Sequence, residues 1–314
     1  MRYCIIDFMH LAYKATFSGA PVLTKTINID GVPTTVQTTV AKFAIRDILK
    51  FARYETNFIG VCFDGGSQVR RDYFSAISGE VYKGNRKKLN PSFIKQVETT
   101  AWLLLRGGVS AYRVEGYEAD DLAYSLVRDL KDSGVKEPID VFTNDNDLLP
   151  LVDDQVSVYI RSNRTYASYG CPEYRQYYQV TPDSWDDYIS YTSQFKDYII
   201  PYNSMILFKL LKGDKSDCIK GAAKGFGPKG YNSLMGTMLK DEVPFETLFR
   251  YDLDYDRDIY PTLSEYLYDD VLDPMRLIYN GLKLRRIADM NPMEKIYIAK
   301  LQLAVGALDI QIVK

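Results

Sequence analysis

Short apolar runs alternate with longer amphipathic stretches through the first half of the chain. RYCIID at 2–7 and FIGVCFD at 58–64 are rich in β-branched and aromatic residues, and each stops at an aspartate. SAYRV at 110–114, IDVFT at 139–143 and VSVYI at 156–160 predict three further strands. Helical segments are expected near 38–56 and 91–106. In EGYEADDLAYSLVRDL, Leu122, Leu126 and Leu130 recur at helical spacing, with Val127 on the same side. Glu118, Asp120 and Asp121 are expected in the first turn of that helix, where the helix dipole favours negative charge. Strand–helix alternation of this kind predicts an α/β fold, a mostly parallel central sheet with helices on both faces. Binding sites in such sheets form at the carboxyl ends of the strands.

Acidic residues gather at those ends. Asp7 closes CIIDF, Asp64 closes GVCFD, and Glu118, Asp120 and Asp121 stand in YEADD. Asp145 and Asp147 follow in TNDND, and Asp214 and Asp217 in KGDKSD. Taken singly, each has a plainer reading, such as a turn, a helix cap or a favourable first-turn charge. TNDND fails as a calcium loop because no Gly follows at the sixth position. Together, carboxylates at strand ends repel one another and resist burial. Divalent cations would neutralise them, so the set suggests a two-metal phosphodiesterase site.

Composition narrows the chemistry. The chain has 314 residues, 46% of them hydrophobic and 25% charged, which is an ordinary globular balance. Setting aside the nine clustered acids turns a net charge of −2 into +7, which suits a polyanionic partner. His10 is the only histidine, so catalysis that needs two histidines is excluded, as are most His-rich zinc sites. No GxSxG elbow is present, and the expected nucleophile is water activated by a hard metal. Cys4, Cys62, Cys171 and Cys218 show no CxxC spacing and read as thiols in a reducing cytosol. No segment approaches the length of a membrane span, so a cytoplasmic protein without membrane contact is expected.

Two further segments carry positive charge. Residues 65–90 read as a long, mobile basic loop that brings Arg70, Arg71, Lys83, Arg86, Lys87 and Lys88 near the crevice. Residues 206–236 place an apolar helix before Asp214 and Asp217. A glycine-rich turn, KGFGPKG, follows and opens another helix near Pro228. The turn is not a P-loop. Gly225 and Gly227 would let the backbone approach a phosphate, with Lys220, Lys224 and Lys229 around them. That is the composition of a clamp that grips a DNA backbone whatever its sequence.

The order Asp7, Asp64, YKGNR, YEADD, TNDND, GDKSD and GFGPKG resembles the 5′ nuclease family over about residues 1–240. That family includes flap endonucleases, the 5′ exonuclease domain of bacterial DNA polymerase I and phage 5′ exonucleases. CIIDF, VRRDY and LLKGDKSD look most like the phage branch that includes the ribonuclease H of T-even phages. LIYNGLKLRRI looks like a distal segment of those enzymes.

The resemblance implies a PIN-like nuclease core over 1–200, with a basic arch at 65–90. It also implies a helical DNA-binding region over 201–314, with a helix-three-turn-helix clamp at 206–240. The implied activity is hydrolysis at or near 5′ ends of DNA, leaving 5′-phosphates, on flaps, nicks or ends. RNA–DNA hybrid in phage primer removal is an implied further substrate. By motif, Asp7, Asp64, Glu118, Asp120 and Asp121 would hold the first Mg²⁺, with Mn²⁺ able to substitute. Asp145 and Asp147 would lie between the sites, and Asp214 and Asp217 would complete the second. Lys83 and Arg86 match the arch pair that contacts the scissile phosphate, and the 225–230 turn resembles a K⁺ site. A monomer is expected, in the cytoplasm, which is that of the host if the chain is phage-encoded. Phe8 stands where many members have Gly. Two other classes fit the residues less fully: a PIN-type ribonuclease cutting single-stranded RNA, and a catalytically idle DNA-binding protein.

Overall fold

The computed structural model describes residues 2–17, 21–29, 32–51, 56–79, 81–162, 176–224, 226–250 and 253–287. Gly225, Cys171 and the stretch 288–314 lie outside the described residues. In chain order the elements begin with β1 (Arg2–Asp7), α1 (Phe8–Phe17), β2 (Thr24–Ile29), β3 (Val32–Gln37), α2 (Thr39–Phe51) and β4 (Thr56–Cys62). Next come α3 (Gln68–Ser78), α4 (Pro91–Arg106), β5 (Ser110–Tyr112), α5 (Ala119–Asp132) and β6 (Ile139–Thr143). A short 3-10 helix, Asn146–Leu151, leads to β7 (Val156–Arg161), β8 (Tyr177–Val180) and α6 (Trp185–Tyr191). The remainder holds α7 (Met205–Lys212), β9 (Gly213–Asp214), β10 (Ile219–Lys220) and α8 (Pro228–Lys240). It ends with α9 (Phe245–Leu248), α10 (Tyr260–Leu263) and α11 (Asp269–Leu282).

The main sheet runs β5-β4-β1-β6-β7-β8, parallel except for the β7–β8 pair. All five expected strands are in it. Their period-2 alternation sorts side chains to two faces. Cys4, Ile6, Val61 and Phe142 join a cluster with α1, α2 and α4. Ile5, Cys62, Val141 and Val158 join another with α5, α7, α8 and α11. Helices therefore cover both faces, and Cys4 and Cys62 are buried free thiols. Among the described residues, no helix is long and apolar enough to cross a membrane.

Three elements depart from the sequence reading. The hairpin β2–β3 and the antiparallel edge strand β8 were not expected; each needs a pairing partner that its own pattern does not name. Residues 65–90 are not one basic loop. Arg70 and Phe74 stand four apart, both are buried, and they make α3 an amphipathic helix. Glu118 is the N-cap residue of α5, just outside its first turn.

Parallel strands are laid outward from β1 to β4 and β5, then resume on its other side at β6. A crevice opens where the order reverses, at the carboxyl ends of the strands. That is where Asp7, Asp64 and the segments after β5 and β6 meet.

Candidate active site

Asp7 ends β1, and its carboxylate accepts from Thr143 Oγ1 at 2.9 Å and from the Met9 amide at 3.1 Å. Asp64 stands just past β4 and accepts from the Ala119 amide at 2.9 Å, which ties the β4 end to the start of α5. Asp145 accepts from the Asp147 amide at 2.9 Å and so caps the 3-10 helix. Asp7, Asp64, Glu118, Asp120 and Asp145 line one cavity of about 320 Å³, together with Lys83 and Arg86. A larger groove of about 630 Å³ shares Asp64 and Glu118 and is rimmed by Arg71, Lys87 and Lys88.

Burial, with the charge of Asp64 added, raises the Asp7 carboxyl to about 7, against the bonds from Thr143 and Met9. Burial also raises Asp64 and Asp120; for Asp120 the neighbouring Asp121 and Glu118 add to it. Glu118 goes the other way. Burial pushes it up, but Lys83 and Arg70 outweigh that and hold it below the usual range. His10 contributes no ligand atom. Its Nε2 is 3.0 Å from the Tyr177 hydroxyl, its Nδ1 contacts the Asp7 carbonyl, and burial lowers it to about 3, keeping it neutral.

A second group lies beside the first. Asp147, Asp214 and Asp217 each offer one carboxylate oxygen, all within 4.8 Å of one another. Asp214 ends β9 and Asp217 lies in the tight link from β9 to β10; Gly213, the first residue of β9, has φ +74°. A Cβ at Gly213 would lie 2.3 Å from the Gly221 amide nitrogen, so only glycine fits. The two groups are joined by Tyr82, whose hydroxyl is 3.1 Å from Glu118 and 2.9 Å from Asp217. Lys83 contacts Glu118 and lies 3.6 Å from Asp217, while Arg86 donates to Asp217 at 2.6 Å.

Arg70 departs from its expected DNA-facing position. It is 2% exposed, with Nη1 2.6 Å from Glu118, 2.8 Å from Asp121 and 3.5 Å from Asp120. A guanidinium so enclosed cannot reach a DNA backbone. Asp121 also sits behind the cavity. It accepts from Arg70 and, at 2.8 Å, from the Arg285 amide, where the chain after α11 runs along α5. Lys220, Lys224 and Lys229 are exposed around the turn before α8, and Pro228 is the first residue of that helix. Gly227 has an ordinary extended backbone, with φ −77°.

Sequence reasoning missed Tyr82, Thr143 and Lys209. Tyr82 directly precedes Lys83 in YKGNR and was the most findable. Lys209 stands five residues before Asp214, and only the fold shows that it reaches two acids.

The described donor set is all carboxylate oxygen, in two adjacent groups with at least one buried acid raised toward neutrality. Such a set fits hard divalent cations and offers no sulfur or free imidazole to softer ones.

The pattern of the 5′-3′ exonuclease N-terminal, resolvase-like domain matches residues 2–181, and the chain belongs to the 5′-3′ exonuclease family. It is 29% identical over 237 residues to DNA polymerase I of Caldicellulosiruptor bescii, covering 75% of this chain and 24% of that one. It thus spans about a quarter of that relative's length. A 5′-3′ exonuclease of Bacillus subtilis is 29% identical over 230 residues, covering 73% and 67% of the two chains. The fold is similar to that of bacteriophage T5 5′-exonuclease with zinc bound, at 17% identity and TM-score 0.56, covering 90% and 86%. It is also similar to the T5 flap endonuclease in a pseudo-enzyme-product complex with DNA and metal ions, at 16% identity and TM-score 0.54, covering 90% and 86%.

Proposed function

We propose that this chain is a metal-dependent nuclease that hydrolyses phosphodiester bonds at or near 5′ ends of DNA, on flaps, nicks or ends. The observation that carries the reading is the convergence of Asp7, Asp64, Asp120 and Asp145 on one cavity that also holds Lys83 and Arg86. Acids alone would repel a phosphodiester, and cations alone would bind it without cutting. Family membership supports the same reading, as do the zinc on the T5 5′-exonuclease and the DNA and metal ions in the T5 flap endonuclease complex.

Asp7, Asp64, Asp120 and Asp145 would hold one Mg²⁺ or Mn²⁺, and Asp147, Asp214 and Asp217 a second. Bound there, divalent ions supply a water of lowered pKa and neutralise charge that develops on the phosphate. Glu118 is held ionised by Lys83 and Arg70 and shapes the wall between the groups. Lys83 and Arg86, paired with acids at the cavity edge, are placed to exchange those partners for phosphate oxygens. Lys83 has φ 54°, and its amide donates to the Asp217 carbonyl at 3.0 Å, so its backbone is pinned beside both acid groups.

Exposed Arg71, Lys87 and Lys88 beside the groove, and Lys220, Lys224 and Lys229 near the second group, would grip the DNA backbone. Residues 1–200 would then act as the nuclease core and 201–314 as the duplex-holding region. K⁺ at the 225–230 turn is a lesser part of the proposal, because the Phe226 carbonyl already accepts from Lys212 at 2.7 Å. RNA–DNA hybrid cleavage in primer removal, and action as a monomer, belong to the same proposal.

The test is digestion of 5′-labelled flap, nicked and RNA–DNA hybrid substrates with Mg²⁺, reading product lengths. Short 5′ products that vanish with chelator are expected. Cleavage of single-stranded RNA alone would favour a different nuclease class, and binding without turnover would favour a DNA-binding protein.

A further inference from the structure

The two acidic groups are not equivalent. Among the described residues, no Lys or Arg forms an ion pair with Asp7, Asp64 or Asp145, and Asp120 has only the buried Arg70 at 3.5 Å, whereas one lysine sits on two acids of the second group. Lys209, in the last turn of α7, puts its ammonium on Asp147 Oδ1 and 3.4 Å from Asp214 Oδ2. Its side chain is 12% exposed, so it is packed into the group rather than waving beside it. These are two of the three carboxylates whose oxygens lie within 4.8 Å of one another. Burial pushes Asp214 up, but the charge of Lys209 and the bonds from Ser216 hold it below the usual carboxylate range.

We propose that Lys209 is a tethered cation of the second metal position, neutralising Asp147 and Asp214 until a divalent ion takes the same oxygens, and leaving when it does. The inference rests on the two-ion reading above. An ammonium and a divalent ion cannot share these oxygens, because two positive charges a few ångströms apart repel strongly where water is scarce. Lysine suits the exchange. Its point charge sits on a flexible four-carbon stem, unlike the rigid fork of arginine. Without it, the close approach of Asp147 and Asp214 to Asp217 would weaken the fold whenever no ion was bound, even with Arg86 and Lys83 on Asp217. With it, the second ion must displace a resident charge and so binds more weakly than the first. The first position becomes the standing site, and the second fills only when ion concentration or added negative charge favours it.

The test is a Mn²⁺ titration of the full chain without DNA, reading free Mn²⁺ by electron paramagnetic resonance, on wild type, Lys209→Met and Lys209→Arg. Wild type should show a tight and a weak class. Lys209→Met should tighten the weak class on the order of 10-fold or more, because a competing unit charge is gone. Lys209→Arg, which keeps the charge, should leave it weak. Thermal melting gives a second readout. Lys209→Met should melt lower than wild type without ions and gain more from Mn²⁺. Lys209→Gln stands in if Lys209→Met does not fold. Asp147→Asn should weaken the weak class only, which fixes its location. Two classes with the weak one unchanged or weaker in Lys209→Met would overturn the inference and leave the two-ion reading intact. A single ion in every protein would overturn both.

Discussion

Arg70 Nη2 donates to Asp121 Oδ1 at 2.9 Å, on the side of the acid group that faces the core. This pair links three parts of the chain. Arg70 comes from α3, Asp121 from the first turn of α5, and the same carboxylate oxygen receives the Arg285 amide at 2.8 Å. Further along α5, Ser125 accepts from the Ile287 amide at 2.9 Å, and Arg286 bridges Asp129 and Asp132 at 2.8 and 2.6 Å. One stripe of α5 thus carries the acid group at its start and holds the distal segment over the rest of its length.

Arg70→Met should be a stability variant. It takes from Asp121 its ion-pair partner and leaves Glu118 with Lys83 alone, and breaking a buried pair in this way typically costs about 3–5 kcal/mol. Urea unfolding should show the loss, and Arg70→Lys should recover only part of it, because an ammonium cannot span both carboxylates as a fork does. Unchanged stability with a large drop in DNA affinity would instead put Arg70 on the DNA.

Asp120→Ala and Asp145→Ala should abolish cleavage while DNA binding stays largely intact, since affinity comes from basic contacts. Lys83→Ala should slow cleavage on the order of 100-fold, by analogy with removing one preorganised charge at a transition state. Its DNA affinity should change much less. Single-turnover rates and binding isotherms on one flap substrate separate the two effects. Equal losses in both would make Lys83 an anchor only.

Gly281→Ala tests the packing of α11 on α3. A Cβ at Gly281 would come within 2.3 Å of the Phe74 ring, and Phe74 is itself buried. The overpacking should cost about 1–3 kcal/mol. Phe74→Leu in the same chain should return part of it, and a double-mutant cycle in thermal unfolding measures the coupling.

Asp140→Asn tests a buried acid away from the site. Burial raises Asp140 to about 6, against the pull of Arg2 at 2.6 Å. A carboxyl raised in the folded state holds its proton there longer than in the unfolded chain. Its stabilising contribution is therefore complete below about pH 4 and is lost as pH rises through 6. The size is about 3 kcal/mol at 1.36 kcal/mol per pH unit. Urea unfolding between pH 4 and 7 should show wild type losing that much more stability than Asp140→Asn. Parallel curves would show that Asp140 is already ionised at pH 4.

Gly227→Val isolates the proposed clamp. A Cβ at Gly227 meets nothing within 4 Å, so the fold should tolerate valine. Any loss of duplex affinity then reports on the close approach of a phosphate to that backbone. Flap binding should weaken and the salt slope flatten, with the melting temperature unchanged. Identical isotherms at several salt concentrations would make the turn a structural connection only.

What the sequence determined is what depends on near neighbours along the chain. Short apolar runs rich in β-branched and aromatic residues gave the five strands that build the centre of the sheet, and strand geometry sends their alternate residues to opposite layers. The 3.6 period gave α4 and α5. Strand-end aspartates in order gave the rim on which the acids meet, because parallel strands bring their carboxyl ends to one side. Tertiary structure decided which charge answers which. Arg70 and Glu118 are 48 residues apart, and Tyr82 and Asp217 are 135 apart. A basic residue in a glycine- and serine-interrupted stretch reads as surface until the fold buries it. The register of α3 against α5 turns Arg70 inward and leaves Arg71 outside, a choice set by the partner helix. Strand β8 likewise exists only because β7 offers it an edge. Lys209 reads as one more charge on a helix, and it becomes a counter-ion only when Asp147 arrives from the far side of the crevice.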